Sequence, residues 1–272
     1  MINLTGLAVG LAGSFIILIF VTTELSYDKF NEKREHIYRV ITDQAKHNMI
    51  TAQTPFVLAP TLKKDFPGIQ KFARTYLIDG VSVIKNKELF NEQYFQCADN
   101  DIFDIFTIRI LKGNQANIIK APNTVVISEK VNKKYFPGED PLDKTLEIDH
   151  KGKRRVLKVT GIFKDLPKTS TFKADFIANI DLALEEVLID MVAIGNGNFD
   201  RAFLTDHWGA NMFTTYLLLE KNYPVNDLTQ KLPEFEENYH PNHLSVCYSL
   251  QAMKDFYLRS SHLTTSFVPR VI

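Results

Sequence analysis

The fold is decided by the first forty residues, where an uncharged run, LTGLAVGLAGSFIILIFV (Leu4–Val21), leads almost directly into a charged segment, ELSYDKFNEKREHIYRV (Glu24–Val40). The run has eighteen residues, and a helix of that length extends about 27 Å, close to the hydrocarbon thickness of a bilayer. It therefore predicts a transmembrane helix over residues 1–23. A secretory signal peptide fits less well, because no basic residue precedes Leu4 and FVTTE is a poor cleavage site. A buried core helix remains as the alternative.

Three glycines, Gly6, Gly10 and Gly13, lie within the apolar run. In a helix surrounded by water each glycine costs about 1 kcal/mol relative to alanine. In a membrane, small residues instead let neighbouring helices approach closely, and Gly6 and Gly10 have the G-x-x-x-G spacing typical of such contacts. We therefore predict that these three glycines pack against another helix in the membrane.

The charged segment predicts a stalk helix over residues 24–40 that continues the membrane helix. Nine of its seventeen residues are charged or histidine, which is typical of a solvated face. Tyr27, Phe30 and Tyr38 are predicted to form an aromatic face that packs on a second stalk helix. The basic residues of the segment would place the following domain in the cytoplasm by the positive-inside rule; they are Lys29, Lys33, Arg34 and Arg39.

Composition limits the classes of function. The 272 residues suffice for one large domain or two small ones. Lys plus Arg and Asp plus Glu are 32 each, so the formal net charge is zero, and the chain has no basic block that would favour nucleic acid. The two cysteines, Cys97 and Cys247, make neither a disulfide framework nor a metal site, and whether they pair is left open.

After the membrane segment the pattern alternates between strands and helices, which predicts an α+β domain. The run IYRVITDQ (37–44) is rich in strand-forming residues, and Ser128 is placed to cap a helix that ends at Tyr135. Thr54 followed by Pro55 predicts another helix start, with a kink or a later start at Pro60. Further strands are predicted at Phe72–Ile78, Val81–Ile84, Tyr94–Ala98 and Val125–Ile127 and in the runs RRVLKVTGIF and MFTTYLLLE; VNDLTQKLPEFEENY predicts a helix, and Asp181–Ile194 a helix or a loop.

No motif predicts catalysis, a cofactor or a metal. GEDPLDKT (Gly138–Thr145) has the spacing of a phosphate-binding loop, but Asp143 replaces its second glycine, so we interpret it as a surface turn that enters a strand. His240 and His243 lie in an H-x-x-H pair interrupted by proline and are interpreted as loop histidines. We therefore predict a protein that is not an enzyme.

The N-terminal residues INLTGLAVGLAGSFIILIFVTTELSYDKFNEKREHIYRV resemble the first membrane helix and stalk of MacB/FtsX-type ABC transporter permeases, which read I-N-x-x-G-L-A-x-G-x-A…E-L-S-Y-D-x-F followed by I-Y-R-V. TPFVLAPTLKKDFPGI, DIFDIFTIRILKGN, APNTVVISEKVNKKYFPGEDPLDKTLEI, KVTGIFKDLP and TTYLLLE are similar to later parts of the same family. The resemblance covers nearly the whole chain, and we expect the sequence to be cut before the family's second transmembrane helix.

The resemblance implies a MacB-like periplasmic domain with a porter-like α/β part and a β-rich inserted subdomain. We expect the porter-like part to comprise residues 41–118 and 210–258, and the inserted subdomain to comprise residues 119–209. Residues 259–272 would begin a second stalk.

The resemblance also implies a function, that of a permease subunit which couples ATP hydrolysis by a partner to a periplasmic conformational change, for export or envelope regulation. The implied partners are a cytoplasmic ABC ATPase subunit, a second permease copy, membrane lipid, and a periplasmic adaptor or outer-membrane component. The chain would cross the inner membrane once, with its main domain in the periplasm. This orientation is opposite to the one that the positive-inside rule predicts, and a basic segment before Met1 would reconcile the two. The alternative is the ligand-binding ectodomain of a membrane receptor such as a sensor kinase; a membrane-anchored envelope enzyme is opposed by the lack of a catalytic set.

Overall fold

The computed structural model describes residues 2–44, 48–194, 199–239, 246–261 and 263. The helices are α1 (Ile2–Glu24), α2 (Leu58–Asp65), α3 (Ile102–Ile105), α4 (Glu129–Tyr135), α5 (Ile180–Ile194), α6 (Arg201–Asp206) and α7 (Val225–Tyr239). The strands are β1 (Ile37–Gln44), β2 (Met49–Thr51), β3 (Gln53–Pro55), β4 (Ile69–Ile78), β5 (Val81–Lys85), β6 (Glu88–Glu92), β7 (Phe95–Ala98), β8 (Ile110–Lys112), β9 (Thr124–Ser128), β10 (Thr145–His150), β11 (Lys153–Phe163), β12 (Phe176–Asn179), β13 (Asn211–Leu219) and β14 (Val246–Ala252). The α+β prediction, with an N-terminal apolar helix, is confirmed.

The strands form one mixed sheet. Its order is β14-β1-β13-β4-β7-β12-β9-β11-β10-β5-β6, with β2 on β1, β3 on β13 and β8 on β11. The pairs β7–β12 and β9–β11 are parallel, and the other pairs are antiparallel. The strands of the predicted insertion therefore continue the sheet of the flanking segments, and the boundaries at residues 119 and 209 stay a prediction.

The middle of the sheet is covered on both faces, so its strands are apolar without alternation. Along β9, Val125 and Ile127 enter one apolar core with Phe95 and Phe176, whereas Val126 enters a second core on the opposite face. Side chains of α5 cover the first core, and the second core includes α3. A third core lies between the sheet and the pair of helices α2 and α7. The two-sided burial explains why the run VVI could be predicted as a strand without polar alternation.

The predicted stalk helix over residues 24–40 is wrong. Helix α1 ends at Glu24, turns follow, and β1 already begins at Ile37. Asp28 has a φ of 57°, in the left-handed region that a continuing α-helix cannot contain. Hydrogen bonds from this segment to loops distant in sequence replace the hydrogen bonds of a helix.

Two smaller expectations also need correction. Thr54 does not cap a helix, because it lies in β3, where its hydroxyl donates to the carbonyl of Phe213 at 2.8 Å. Helix α2 starts later, at Leu58. Pro60 therefore falls in its first turn, where the amide that proline lacks would have no intrahelical partner. The residues of β6 were not predicted to form a strand.

Other local predictions are confirmed. The run 37–44 forms β1, and Ser128 caps α4 by accepting a hydrogen bond from the amide of Val131. Pro233 lies inside α7 without ending it. His240, His243 and most of residues 259–272 lie outside the described residues.

Candidate functional site

Helix α1 stands apart from the packed domain. Residues Leu4–Glu24 are long and apolar enough to cross a membrane, with a mean hydropathy of 2.4, and none of the span is buried within the protein. A Cβ atom added at Gly6, Gly10 or Gly13 would meet nothing within 4 Å. These glycines are therefore open to another helix, and their role in packing stays a prediction.

The turn that follows α1 is bonded to the loop between β11 and β12 through Asp28. The Asp28 amide donates to the carbonyl of Thr169 at 2.9 Å. Its carboxylate accepts from the Thr171 amide at 2.9 Å and from the Thr171 hydroxyl at 2.5 Å. Asp28 is only 2% exposed, and burial raises the pKa of its carboxyl group although the bonds from Thr171 oppose that shift. A buried carboxylate thus fixes the start of the domain to a loop far along the chain.

The same turn is bonded to the loop that follows α3. The amide of Thr107 donates to the side-chain oxygen of Asn31 at 2.9 Å, and the amide of Glu32 donates to the Thr107 hydroxyl at 2.9 Å. The ammonium group of Lys33 donates to the carbonyl of Asp104 at 2.6 Å. Movement of residues 25–36 is therefore coupled to two separate loops of the domain.

A stacked tyrosine pair joins the end of α1 to the segment after β14. The rings of Tyr27 and Tyr257 have centroids 3.4 Å apart and planes at 7°. The Tyr257 hydroxyl donates to Glu24 Oε1 at 3.1 Å. The two ends of the described domain therefore meet at the C-terminal end of α1.

The predicted aromatic face of Tyr27, Phe30 and Tyr38 does not form one helical surface, because these residues lie in turns and in β1. Tyr38 is partly buried against the third core, which contains α2 and α7. Whether Tyr27 and Phe30 also contact a second stalk stays a prediction.

Arg39 binds the end of β14 and the segment that follows it. Its guanidinium donates to Gln251 Oε1 at 2.5 Å and to the Ser260 hydroxyl at 2.9 Å, and lies 4.8 Å from the centre of the Phe256 ring. Burial lowers the pKa of Arg39, with Tyr216 and Asp28 opposing the shift. We call residues 24–36, together with the contacts of Asp28, Asn31, Tyr27 and Arg39, the membrane-proximal junction.

Sequence reasoning located the segment of the junction but missed its partners. Asp28 and Thr171 are 143 residues apart, and Asn31 and Thr107 are 76 apart. No local pattern marks such pairs. The only signal was the density of short polar side chains in KTSTFK (168–173), which is typical of loops that bond to backbone or carboxylate groups.

A second buried polar cluster lies under α5. His150 Nδ1 is 2.5 Å from Glu186 Oε2, and Arg155 forms an ion pair with the same carboxylate. The side chain of Glu186 is 2% exposed and that of Arg155 is 8% exposed. A guanidinium and an imidazole from the β10–β11 hairpin therefore meet one carboxylate from α5 in the interior.

Within the described ranges no group of three or more His, Cys, Asp and Glu side chains could hold a metal ion. The segment that resembles a phosphate-binding loop is a turn into β10, as predicted, with Asp143 at a φ of 63° and paired with Lys158 at 2.7 Å. Cys97 is buried, Cys247 is exposed, and both are free thiols. Both cysteines lie outside the membrane-proximal junction.

Comparison with known proteins agrees with this architecture. A domain assigned to a permease protein from Porphyromonas gingivalis has a TM-score of 0.67 at 20% identity, and the match covers 88% of this chain and 96% of that one. The periplasmic region of MacB from Actinobacillus actinomycetemcomitans gives 0.53 at 14% identity, covering 80% and 89%. The extracellular domain of the noncanonical ABC-type transporter YknZ from Gram-positive bacteria gives 0.51 at 12%, covering 79% and 99%. These likenesses show the fold.

The family itself is shown by sequence. No curated protein sequence matches the chain. Residues 1–231, which include both the apolar helix and most of the domain, match the profile of the MacB-like periplasmic core domain. With an apolar N-terminal helix joined directly to a mixed α+β domain of this fold, the chain belongs to the MacB-like periplasmic core domain family.

Proposed function

We propose that the chain is the membrane-anchored, extracytoplasmic part of a permease subunit of a MacB-like ABC transporter. In this role it takes up movement generated by a cytoplasmic ATPase subunit and passes it through α1 into the domain. The observation that carries the proposal is the single family match over residues 1–231, which includes the membrane helix and the domain as one unit. The direct bonding of the two at the membrane-proximal junction supports it.

The junction supports mechanical coupling because it has no flexible linker. Leu25 still bonds to the carbonyl of Val21 at 2.9 Å, and three residues later the Asp28 amide bonds to Thr169 in the domain. A tilt or translation of α1 must therefore move these loops with it or break several hydrogen bonds. Each such bond contributes about 1 kcal/mol, so concerted movement costs less than separation.

The cysteines allow a topology test on the natural sequence. Cys247 is exposed on β14, whereas Cys97 is fully buried, so one thiol is accessible. A membrane-impermeant maleimide added to intact spheroplasts should label the chain to the same extent as after lysis. The Cys247→Ser variant should stay unlabelled. Labelling that requires lysis would place the domain in the cytoplasm and overturn the proposal.

A separate experiment tests for the ATPase partner. The affinity-tagged chain, purified from membranes of its native host in mild detergent, should bring down in stoichiometric amount a protein with a G-x-x-x-x-G-K-[ST] phosphate-binding loop. That complex should hydrolyse ATP. A chain that purifies without any such protein, under conditions in which it stays folded, would contradict coupling to an ATPase.

A further inference from the structure

The end of α1 fixes where the bilayer surface meets the domain. The apolar span runs to Glu24, and the chain then turns directly onto the domain, without the stalk helix that would hold it away from the membrane. Side chains beside Glu24 therefore lie at the depth of the lipid head groups when α1 crosses a bilayer. This surface can expose apolar side chains, because it adjoins lipid rather than water.

The exposed side chains at this position suit that environment. Leu25 follows the span and Leu258 follows the stacked Tyr257, and each leucine is 53% exposed. Tyr27 and Tyr257, two residues after Leu25 and one residue before Leu258, stack on each other. Tyrosine is enriched where the apolar part of a membrane meets its polar part, and exposed leucines beside it can enter the acyl boundary.

Cationic groups adjoin the leucines. A cleft of about 70 Å³ between the turn after α1 and the turn after β14 is lined by Lys29, Arg34 and Lys254 among others. Arg34 pairs with Glu35 at 3.0 Å. Within the described part of the chain, neither Lys29 nor Lys254 forms an ion pair with a carboxylate, and both are exposed.

Acidic groups near the cleft are engaged inside the protein. Asp28 also lines the cleft, but both its carboxylate oxygens accept hydrogen bonds from Thr171. Glu24 accepts from the Tyr257 hydroxyl, and Asp255 pairs with Arg259 at 3.3 Å. Two unpaired ammonium groups thus remain at the surface beside two exposed leucines.

We propose that Leu25, Lys29, Lys254 and Leu258 form a docking surface that binds the head-group layer of an anionic phospholipid bilayer. The leucines enter the acyl boundary and the lysines bind lipid phosphates. The domain then rests on the membrane in a fixed orientation instead of hanging from a flexible tether. This inference rests on the proposed function only in requiring that α1 crosses a bilayer.

The test uses the full chain in nanodiscs with an environment-sensitive fluorophore on single cysteines. The background is Cys247→Ser, and the buried Cys97 does not react. Labels are placed by Leu258→Cys on the docking surface, by Leu18→Cys in the span, and by Leu89→Cys as a control. Leu89 is 61% exposed on β6, at the opposite end of the strand order from β14. Lipids carrying a nitroxide then report contact through quenching.

In bilayers that contain phosphatidylglycerol, the label at position 258 should be quenched strongly and the label at position 89 weakly. Combining Lys29→Gln with Lys254→Gln should lower the ratio of docked to undocked domain by about fivefold for each lysine. Lys87→Gln, at an exposed lysine beside the control site, should leave it unchanged. Phosphatidylcholine alone, or high salt, should act like the double variant.

Equal quenching at positions 258 and 89, or quenching at 258 that ignores lipid charge and both lysines, would overturn the docking surface. The label at position 18 separates this failure from failure of the membrane span. Quenching at 18 without quenching at 258 leaves the anchor intact and removes docking. Absence of quenching at 18 removes both.

Discussion

Two buried carboxylates in this protein are held in opposite ways. Glu186, under α5, forms an ion pair with Arg155 and lies 2.5 Å from His150 Nδ1. Asp28, in the membrane-proximal junction, accepts hydrogen bonds from the neutral amide and hydroxyl of Thr171, and Lys173 and Arg39 affect its pKa less than burial and these bonds do. A buried ion pair becomes costly when one partner is removed, because the other charge is left without compensation in the interior. Neutral hydrogen bonds can be broken one at a time at about 1 kcal/mol each.

The difference separates a fixed part of the domain from a part suited to movement. The Glu186 cluster joins α5 to the β10–β11 hairpin, and separating the two would leave a buried carboxylate without its guanidinium partner. The junction is held by hydrogen bonds from a neutral residue, so deforming it costs less than separating the Glu186 cluster. We therefore expect movement of α1 in a transport cycle to displace the junction together with the loops bonded to it, and to leave α5 in place.

The largest expected effect comes from Glu186→Ala. It leaves the ring of His150 without its carboxylate and the buried guanidinium of Arg155 with only the exposed Glu185, 3.4 Å from its Nε, so the free energy of unfolding should fall by about 3–5 kcal/mol. Urea unfolding of the full chain in detergent, followed by the fluorescence of Trp208 in the third core, measures it. Glu185→Ala is the matched control, because the neighbouring Glu185 side chain is 50% exposed and should contribute well under 1 kcal/mol. Equal losses in the two variants would break the comparison.

Asp28→Ala should cost less overall and act locally. It removes the acceptor of two hydrogen bonds and places alanine at a φ of 57°, for a total of about 2–3 kcal/mol. Hydrogen exchange should accelerate in residues 25–36 and 164–175 and stay unchanged in α5, since local opening is confined to the cooperative unit that loses its bonds. Acceleration throughout the sheet would show that the junction is as integral to the domain as the Glu186 cluster.

The sequence predicted the strands and the cap of α4 because those depend on neighbours. The strand at Val125–Ile127 follows from apolar burial. The cap follows from the Ser128 hydroxyl, which accepts a hydrogen bond from the amide of Val131 three residues later. The stalk was mispredicted for the opposite reason. Its charges and spaced aromatic residues favour a helix locally, but Asp28 gains more from Thr171, 143 residues away, than from helical bonds. Tertiary contacts override local propensity wherever the partner is distant in sequence.

The tyrosine stack should have a smaller effect than either carboxylate. Tyr257→Phe keeps the ring on Tyr27 and loses the hydrogen bonds of the hydroxyl, to Glu24 and to Tyr27, whereas Tyr257→Ala loses the stack as well. Aromatic pairs contribute about 0.5–1.5 kcal/mol beyond their buried area. The alanine variant should therefore raise the exchange rate of residues 25–31 by several-fold and the phenylalanine variant by much less. If both variants accelerate exchange equally, the hydroxyl rather than the stack holds the segment.

The smallest expected effect is the pH dependence that Asp28 adds. Its pKa in the folded protein is raised above the ordinary 3.8, mainly by burial, so the folded state holds this proton more tightly than the unfolded chain does. Stability from this group is therefore present below pH 3.8 and declines as pH rises towards the folded-state pKa. Asn at position 28 still accepts from the Thr171 amide and tolerates a positive φ, but does not titrate.

The free energy of unfolding of the natural chain minus that of Asp28→Asn should thus fall from pH 4 upwards and then level off. Thr171→Val sharpens the comparison, because the hydroxyl bond that it removes lowers the pKa of Asp28. The decline should then extend to higher pH in Thr171→Val than in the natural chain, each measured against the same background carrying Asp28→Asn. A difference that rises with pH would mean that the junction favours the charged carboxylate, as an ion pair would, and the contrast with the Glu186 cluster would disappear.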